Sequence, residues 1–265
     1  MTEQPLANRN IFLQGNRSAY DLIHALANRD IVTQRILCDI DGTLHKGYYD
    51  KLLRGISNAD LALYLLPRIP FSQFPRFVTK NIEIFLYDRK TLANGIPDAE
   101  REIHTKHLVN LFLDSLREIP EEIIQEGAKK LPKRIYPHAK ETLDLIHGRR
   151  ALISCSLQIV ADAYGEYVDA REVFGNPLSG KDFKQYGMLY GVQDKERIAR
   201  MVSHKTERMI VIGDTTDDTG MAVVAHERNL ESVVIARHHR SEALEAKADI
   251  IAYSWEDLRA FLEEY

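Results

Sequence analysis

The sequence predicts an α/β protein: a parallel sheet with helices on both faces, into which a block of helices is inserted. Three observations predict this. Short apolar runs alternate with helical stretches from residue 136 onward, the pattern of strands joined by helical crossovers. One further strand-like run, Arg35-Ile36-Leu37-Cys38-Asp39-Ile40, stands far upstream of that alternation and ends in acids. Between the two, residues 51 to 133 carry helical periodicity and no strand-like alternation. A chain of 265 residues is long enough for one large core and a smaller satellite.

Taken in order, residues 1–17 read as polar and irregular, with Pro5, Gly15 and several asparagines. Ser18-Ala19-Tyr20-Asp21 has the form of a capping box, opening a helix to about Asn28 with Leu22, Ile23 and Leu26 on one face. The first strand, about 35–40, runs into a polar, aromatic loop, His45-Lys46-Gly47-Tyr48-Tyr49-Asp50. Within the inserted block, Leu52 to Leu66 suit a buried helix, and Pro67, Pro70 and Pro75 interrupt the pattern. Further helices are expected over about 77–86 and 97–119, the latter with Ile103, Leu108, Leu111, Phe112 and Leu116 near the helical period. Another starts at Pro120-Glu121-Glu122, a favourable first turn. The apolar stretch at 61–86 suits core packing better than a membrane surface, because prolines and Arg68, Arg76 and Lys80 interrupt it.

After Tyr136-Pro137 a helix of about 138–147 ends at Gly148. Ala151-Leu152-Ile153-Ser154-Cys155-Ser156 is a buried strand ending in hydroxyls, followed by a helix of about 157–168 with Ser156 as its cap. Residues 173–193 read as short strand-like pieces and turns, and Lys195 opens a helix to about Met201. Met209-Ile210-Val211-Ile212-Gly213-Asp214 is another strand ending in an acid, with a helix from about Asp217-Asp218. Val233-Val234-Ile235-Ala236 and Asp249-Ile250-Ile251-Ala252 complete the strands, and Ser254 caps the last helix. Arg237-His238-His239-Arg240 reads as a solvated basic loop, and Glu207 and the acids at 121–126 as ordinary helix-face charge.

Composition excludes several function classes. The chain is 45% hydrophobic and 28% charged, with a formal net charge of -4, so no nucleic-acid partner is expected. The start, Met1-Thr2-Glu3-Gln4-Pro5, lacks a basic region followed by an apolar one, and no window is apolar for the length of a bilayer. Cys38 and Cys155 lie in apolar runs and read as buried reduced thiols. A cytoplasmic protein with no membrane partner is the expectation; the sequence sets no oligomeric state.

The chemistry gathers at strand ends, where ligands bind in sheets of this kind. Asp39 and Asp41 are two apart on a strand and point the same way. By themselves they fit either a capped Asp-Gly turn or a pair aimed at one point. Ser154 ends a second strand, Asp214 a third with Asp217 and Asp218 beyond it, and Lys195 lies between the last two. So many carboxylates against one lysine call for a divalent cation. Oxygen-only ligands select a hard ion, and magnesium is the expected one. Phosphoryl transfer is the chemistry that uses these parts: a carboxylate nucleophile, a second acid to move the proton, and a hydroxyl and an ammonium to hold phosphoryl oxygens.

Asp39-Ile40-Asp41-Gly42-Thr43, Ser154, Lys195 and Gly213-Asp214-Thr215-Thr216-Asp217-Asp218, in that order, resemble the four motifs of the haloacid dehalogenase superfamily of phosphatases. The resemblance covers about 35–47 and 134–237 and implies a Rossmann-like core, residues 1–47 with 134–265, and a helical cap, residues 48–133. It implies Asp39 as nucleophile, Asp41 as general acid and base, and Thr43, Ser154 and Lys195 as phosphate ligands. Magnesium would be held by Asp39, Asp41, Asp214 and Asp218, with Asp217 as the alternative to Asp218. A cap placed after the first motif resembles the phosphoserine-phosphatase-like branch. That branch has a glutamate nine residues beyond the nucleophile; here Tyr48 stands there, which puts serine phosphate in doubt. Tyr48, Tyr49 and Asp50 are the candidate specificity residues. The implied function is a magnesium-dependent phosphomonoester hydrolase acting on a small phosphorylated metabolite. A phosphotransferase or mutase would use the same residues, and a binding or regulatory protein could keep the fold without turnover.

Overall fold

The computed structural model describes residues 4–5, 11–27, 34–46, 56–94, 98–178, 187–205, 207–237 and 241–264. Its sheet is built outward from β3 (Gln34–Cys38), all five of whose residues are buried. A strand covered on both faces must be apolar along its length, and Ile36, Leu37 and Cys38 meet that demand. On one side β3 pairs in parallel with β4 (Arg149–Leu157), which pairs with β5 (Glu172–Asn176). On the other it pairs in parallel with β6 (Arg208–Gly213), followed by β7 (Val233–Arg237) and β8 (Ile250–Ala252). The chain thus moves one way from β3 and later the other way. The crevice at which strand order reverses lies between β3 and β6, and ligands bind at such a point.

Among the described residues the sheet has eight strands and is completed by β2 (Ile11–Leu13), antiparallel to β8, and β1 (Gln4–Pro5), antiparallel to β2. The expectation of an irregular stretch over residues 1–17 is corrected here. Three residues are too short to show alternation, but Ile11, Phe12 and Leu13 cover an edge that β8 would otherwise leave unpaired.

Alternate residues of each strand face opposite sides, and two apolar clusters follow. Ile36, Leu152, Ile210 and Ile235 face one way, against α1 (Ala19–Ala27) and the C-terminal helix α11 (Trp255–Glu263). Leu37, Ile153, Val211 and Val234 face the other, against α8 (Val192–Val202) and α9 (Thr219–Arg228). The caps read from the sequence are present: Ser18 with Asp21, and Ser254 with Asp257.

The helical insertion runs between β3 and β4. It holds α2 (Ser57–Leu65), α3 (Phe74–Asn94), α4 (Asp98–Leu116) and α5 (Glu121–Ala128). Then α6 (Ala139–Leu145) leads into β4, α7 (Gln158–Tyr167) follows it, and α10 (Glu242–Glu245) precedes β8. Pro75 does not break α3 but sits in its first turn, where its missing N–H has no helical partner to lose. The two connections to the insertion run side by side: Lys46 N–H donates to Arg134 O at 2.9 Å and Tyr136 N–H to Leu44 O at 2.8 Å. Buried His45 adds a side-chain tie, with Nε2 3.2 Å from Asp60 Oδ2 on α2 and Nδ1 against the Tyr164 hydroxyl on α7.

Other charges differ from their expected places. Glu207 is buried and accepts from Arg35 Nε at 3.2 Å, at the opposite end of β3 from its acids. Arg237 belongs to β7 and is fully buried, its guanidinium 4.8 Å from the Tyr136 ring and 5.0 Å from the Trp255 ring, so stacking on aromatic faces replaces solvent there. His238, His239 and Arg240 lie outside the described residues. Among the described residues no helix is long and apolar enough to cross a membrane.

Candidate active site

Asp39 follows β3 directly and stays in the ladder, its N–H donating to Ile212 O of β6 at 3.0 Å. The turn after it needs Gly42, whose φ of +79° is a left-handed conformation. A Cβ there would also lie 2.2 Å from Asp214 Oδ2. The turn is pinned from below by Trp255, whose Nε1–H donates to Thr43 O at 2.9 Å. Asp39 and Asp214 therefore end neighbouring strands on either side of the crevice.

Lys195, on the first turn of α8, reaches into the same place. Its ammonium donates to Asp39 Oδ1 at 2.7 Å and to Asp218 Oδ1 at 2.6 Å, and all three side chains are almost fully buried. Asp218 is committed on its other oxygen as well: Oδ2 accepts the N–H groups of Asp214 at 2.9 Å and Thr215 at 3.1 Å. A Cβ on Gly213 would come within 2.5 Å of that side chain. Asp217 is half-buried and lines the cleft above the site.

Asp39, Asp214 and Asp218 present carboxylate oxygens within 4.8 Å of one another. Asp41 adds a further negative charge against the single ammonium of Lys195. Burial first, then the charges of Asp218, Asp214 and Asp41, raise the Asp39 carboxyl well above the usual carboxylate range, against the pull of Lys195. Burial works to lower the Lys195 pKa, but Asp218 and Asp39 outweigh it and raise it well above the ordinary lysine value. Such excess negative charge, all on oxygen donors, fits a hard divalent cation.

Asp41 is half-buried and held from two sides. Its Oδ1 accepts the N–H of Ser57 at 2.7 Å, and its Oδ2 accepts the hydroxyl of Ser156. The hydroxyls of Ser57 and Ser156 are 2.7 Å apart. Ser154 is fully buried, lines the cleft, and its Oγ accepts the Ser156 N–H at 3.1 Å. Ser156 is not the helix cap expected of it: β4 continues to Leu157, which caps α7 without a side-chain bond. Ser57 and Ser156 are the residues that sequence reasoning missed. For Ser156 the signal was present, since it lies two past Ser154 on one strand.

Thr43 is fully buried, and its Oγ1 donates to Asp214 Oδ1 at 3.0 Å. The expectation of a phosphate contact there meets a hydroxyl already committed to Asp214. Cys155 is half-buried and lines the cleft, correcting the expectation of two fully buried thiols; burial raises the pKa of both cysteines. Tyr48, Tyr49 and Asp50 lie outside the described residues.

Above the site lies a cleft of about 920 Å³, bounded by the strand ends on one side and by α2, α3 and α4 on the other.

The fold is shared with solved structures of low sequence identity. A phosphoserine phosphatase with bound substrate is 19% identical, with 89% of this chain and 99% of that one covered and a TM-score of 0.57. A cytosolic 5'-nucleotidase IIIB bound to cytidine is 15% identical, with 93% and 89% covered and a TM-score of 0.59. A phosphoserine phosphatase holding a phospho-aspartyl intermediate analogue is 18% identical, with 88% and 98% covered and a TM-score of 0.54. No curated protein matches the chain significantly by sequence. The family model of the haloacid dehalogenase-like hydrolases matches residues 33–226, and the chain belongs to that family.

Proposed function

We propose that the protein is a magnesium-dependent phosphomonoester hydrolase in which Asp39 forms an aspartyl phosphate. The observation that carries this is the single ammonium of Lys195 bound to both Asp39 and Asp218, beside Asp214, at the strand-order crevice. Membership of a hydrolase family supports it, as does the phospho-aspartyl analogue in a phosphatase of the same fold.

Asp39, Asp214 and the region of Asp41 would hold the magnesium ion, with Asp217 or Asp218 completing the set. When bound, the ion would neutralise the phosphoryl group and the nucleophile so that two anions can meet. In the first step Asp39 attacks phosphorus through Oδ2, since Oδ1 is held by Lys195. The bond from phosphorus to the ester oxygen breaks, and Asp41 gives that oxygen its proton. In the second step Asp41 takes a proton from water, the water oxygen bonds to phosphorus, and the acyl-phosphate P–O bond breaks. Inorganic phosphate leaves and Asp39 is restored. Ser154 and Lys195 hold phosphoryl oxygens, Thr43 orients Asp214, and Ser57 and Ser156 orient Asp41. The hydrogen bonds of Asp218 to Lys195 and to the N–H groups of Asp214 and Thr215 favour it as the group that aims Lys195.

We further propose a discontinuous core, residues 1–47 and 134–265, and a cap, residues 48–133. The paired entry and exit strands of the insertion support these bounds. A small phosphorylated substrate and a cytoplasmic setting complete the reading. The test is phosphate release from a panel of phosphomonoesters, with magnesium and after chelation. Magnesium-restored release that Asp39→Asn abolishes is the expected result. Turnover by the chelated protein, or by Asp39→Asn, would overturn the mechanism.

A further inference from the structure

The cleft has two chemically different ends. Among the described residues, all the acids that line it, Asp39, Asp41, Asp214 and Asp217, are at the phosphoryl end, as is Lys195. The opposite wall, built from α2, α3 and α4, is largely apolar. Leu63, Leu66, Ile82 and Phe85 line it while 38–53% exposed, and buried Phe77 and Phe112 back it. Asn58, Asn81, Arg101, His104 and Thr105 are the polar residues set into it. Among the described residues no carboxylate on this wall lines the cleft, so nothing described there complements a substrate ammonium. A cleft of about 920 Å³ is far larger than a phosphoryl group needs, and lies toward the upper end of ligand pockets, roughly 300–1,000 Å³. Large apolar side chains facing open space beside a charged site mark a surface that a ligand covers.

We propose that the organic half of the substrate is apolar: an aryl or long alkyl phosphomonoester whose ring or chain lies against Leu63, Leu66, Ile82 and Phe85. This rests on the phosphatase reading for the phosphoryl end. Among the described residues the wall offers no carboxylate to the ammonium of an amino-acid leaving group, whereas burial of methylenes needs only area.

The full-length protein with magnesium is titrated calorimetrically with non-hydrolysable alkylphosphonates from methyl to octyl. Affinity should rise about fourfold for each methylene until the wall is covered. Phe85→Asn and Ile82→Asn, both open to the cleft, should each flatten that slope. Equal affinity for methyl- and octylphosphonate would overturn the inference. So would tighter binding of phosphoserine, a sugar phosphate or a nucleoside monophosphate than of octylphosphonate. Hydrolysis is scored separately on phenyl and octyl phosphate. If small esters are hydrolysed and the phosphonate series is flat, the phosphatase reading stands and the apolar substrate falls. If the series has its slope and no ester is hydrolysed, the apolar cleft stands and the phosphatase reading falls.

Discussion

The backbone N–H of Ser57 donates to Asp41 Oδ1 at 2.7 Å, so α2 begins on an acid of the core. The residue that caps α2, Ile56, has no side-chain acceptor to offer. Asp41 supplies it across the chain, and its charge suits a helix N-terminus. One side chain therefore docks α2 and, in the mechanism proposed above, also moves the proton. Asp41→Asn keeps an acceptor and loses the acid; Asp41→Ala loses both. Both should abolish phosphate release. Asp41→Ala should also cost about 1–2 kcal/mol of stability, as loss of an N-cap does, while Asp41→Asn should cost much less. Urea unfolding of the two variants checks the difference, and equal losses would remove the capping role.

The raised pKa of Asp39 has a sign that can be tested without activity. The folded state of the metal-free protein binds this proton more tightly than the unfolded state does. Its contribution to stability is therefore lost as pH rises from about 3.9, the unfolded value, through the raised folded value. Asp39→Asn lacks that ionisation. In chelator, the stability of Asp39→Asn relative to wild type should increase between pH 5 and pH 8, and magnesium should favour wild type at the higher pH. Denaturant unfolding at the two pH values reads it. A difference that moves the other way with pH would mean that Lys195 dominates Asp39.

Gly42 couples backbone shape to Asp214. A methyl group there would need a left-handed φ of +79° and would stand 2.2 Å from Asp214 Oδ2. The strain is worth about 1 kcal/mol, and the displaced carboxylate should cost more in metal binding than in folding. For Gly42→Ala, the magnesium concentration giving half-maximal phosphate release should rise about tenfold or more. An unchanged magnesium dependence would separate Asp214 from the metal.

What was legible from sequence, and what was not, divides along physical lines. Asp39, Asp41 and Asp214 stand at or just past strand ends, and a period of two plus apolar runs is enough to locate such places, whereas Ser154, read as a strand end, lies within β4, which runs on to Leu157. Lys195 and Asp218 meet because parallel strands bring the loops that follow them to one edge. Ser57 was illegible, since its partner is contributed by topology and its own position carries no pattern. Glu207 and Arg237 read as solvated because charge normally is; Arg35 in one case, and Tyr136 and Trp255 in the other, make burial tolerable. Leu63 and Leu66 sit in a helical run that suits core packing, yet both face the cleft. Periodicity marks an apolar face without saying whether protein or ligand covers it.

Lys195 is the only cation among the described groups that contact Asp39 and Asp218. Replacing it with Met would leave two buried carboxylates without their ammonium. Removing one partner of a buried ion pair costs about 3–5 kcal/mol, so Lys195→Met should be strongly destabilised as well as inactive. Adding Asp218→Asn to Lys195→Met should recover part of that loss, because one uncompensated charge is gone. The pH dependence follows from the raised pKa of Lys195: its stabilisation is fully present below the unfolded lysine value of about 10.4 and is lost only as pH rises through the folded value. The coupling between Lys195 and Asp218, measured by a double-mutant cycle in urea, should be the same at pH 7 and pH 9. A coupling that fades between those values would show that Lys195 loses its proton in the active range, and it could not then hold a phosphoryl oxygen as an ammonium.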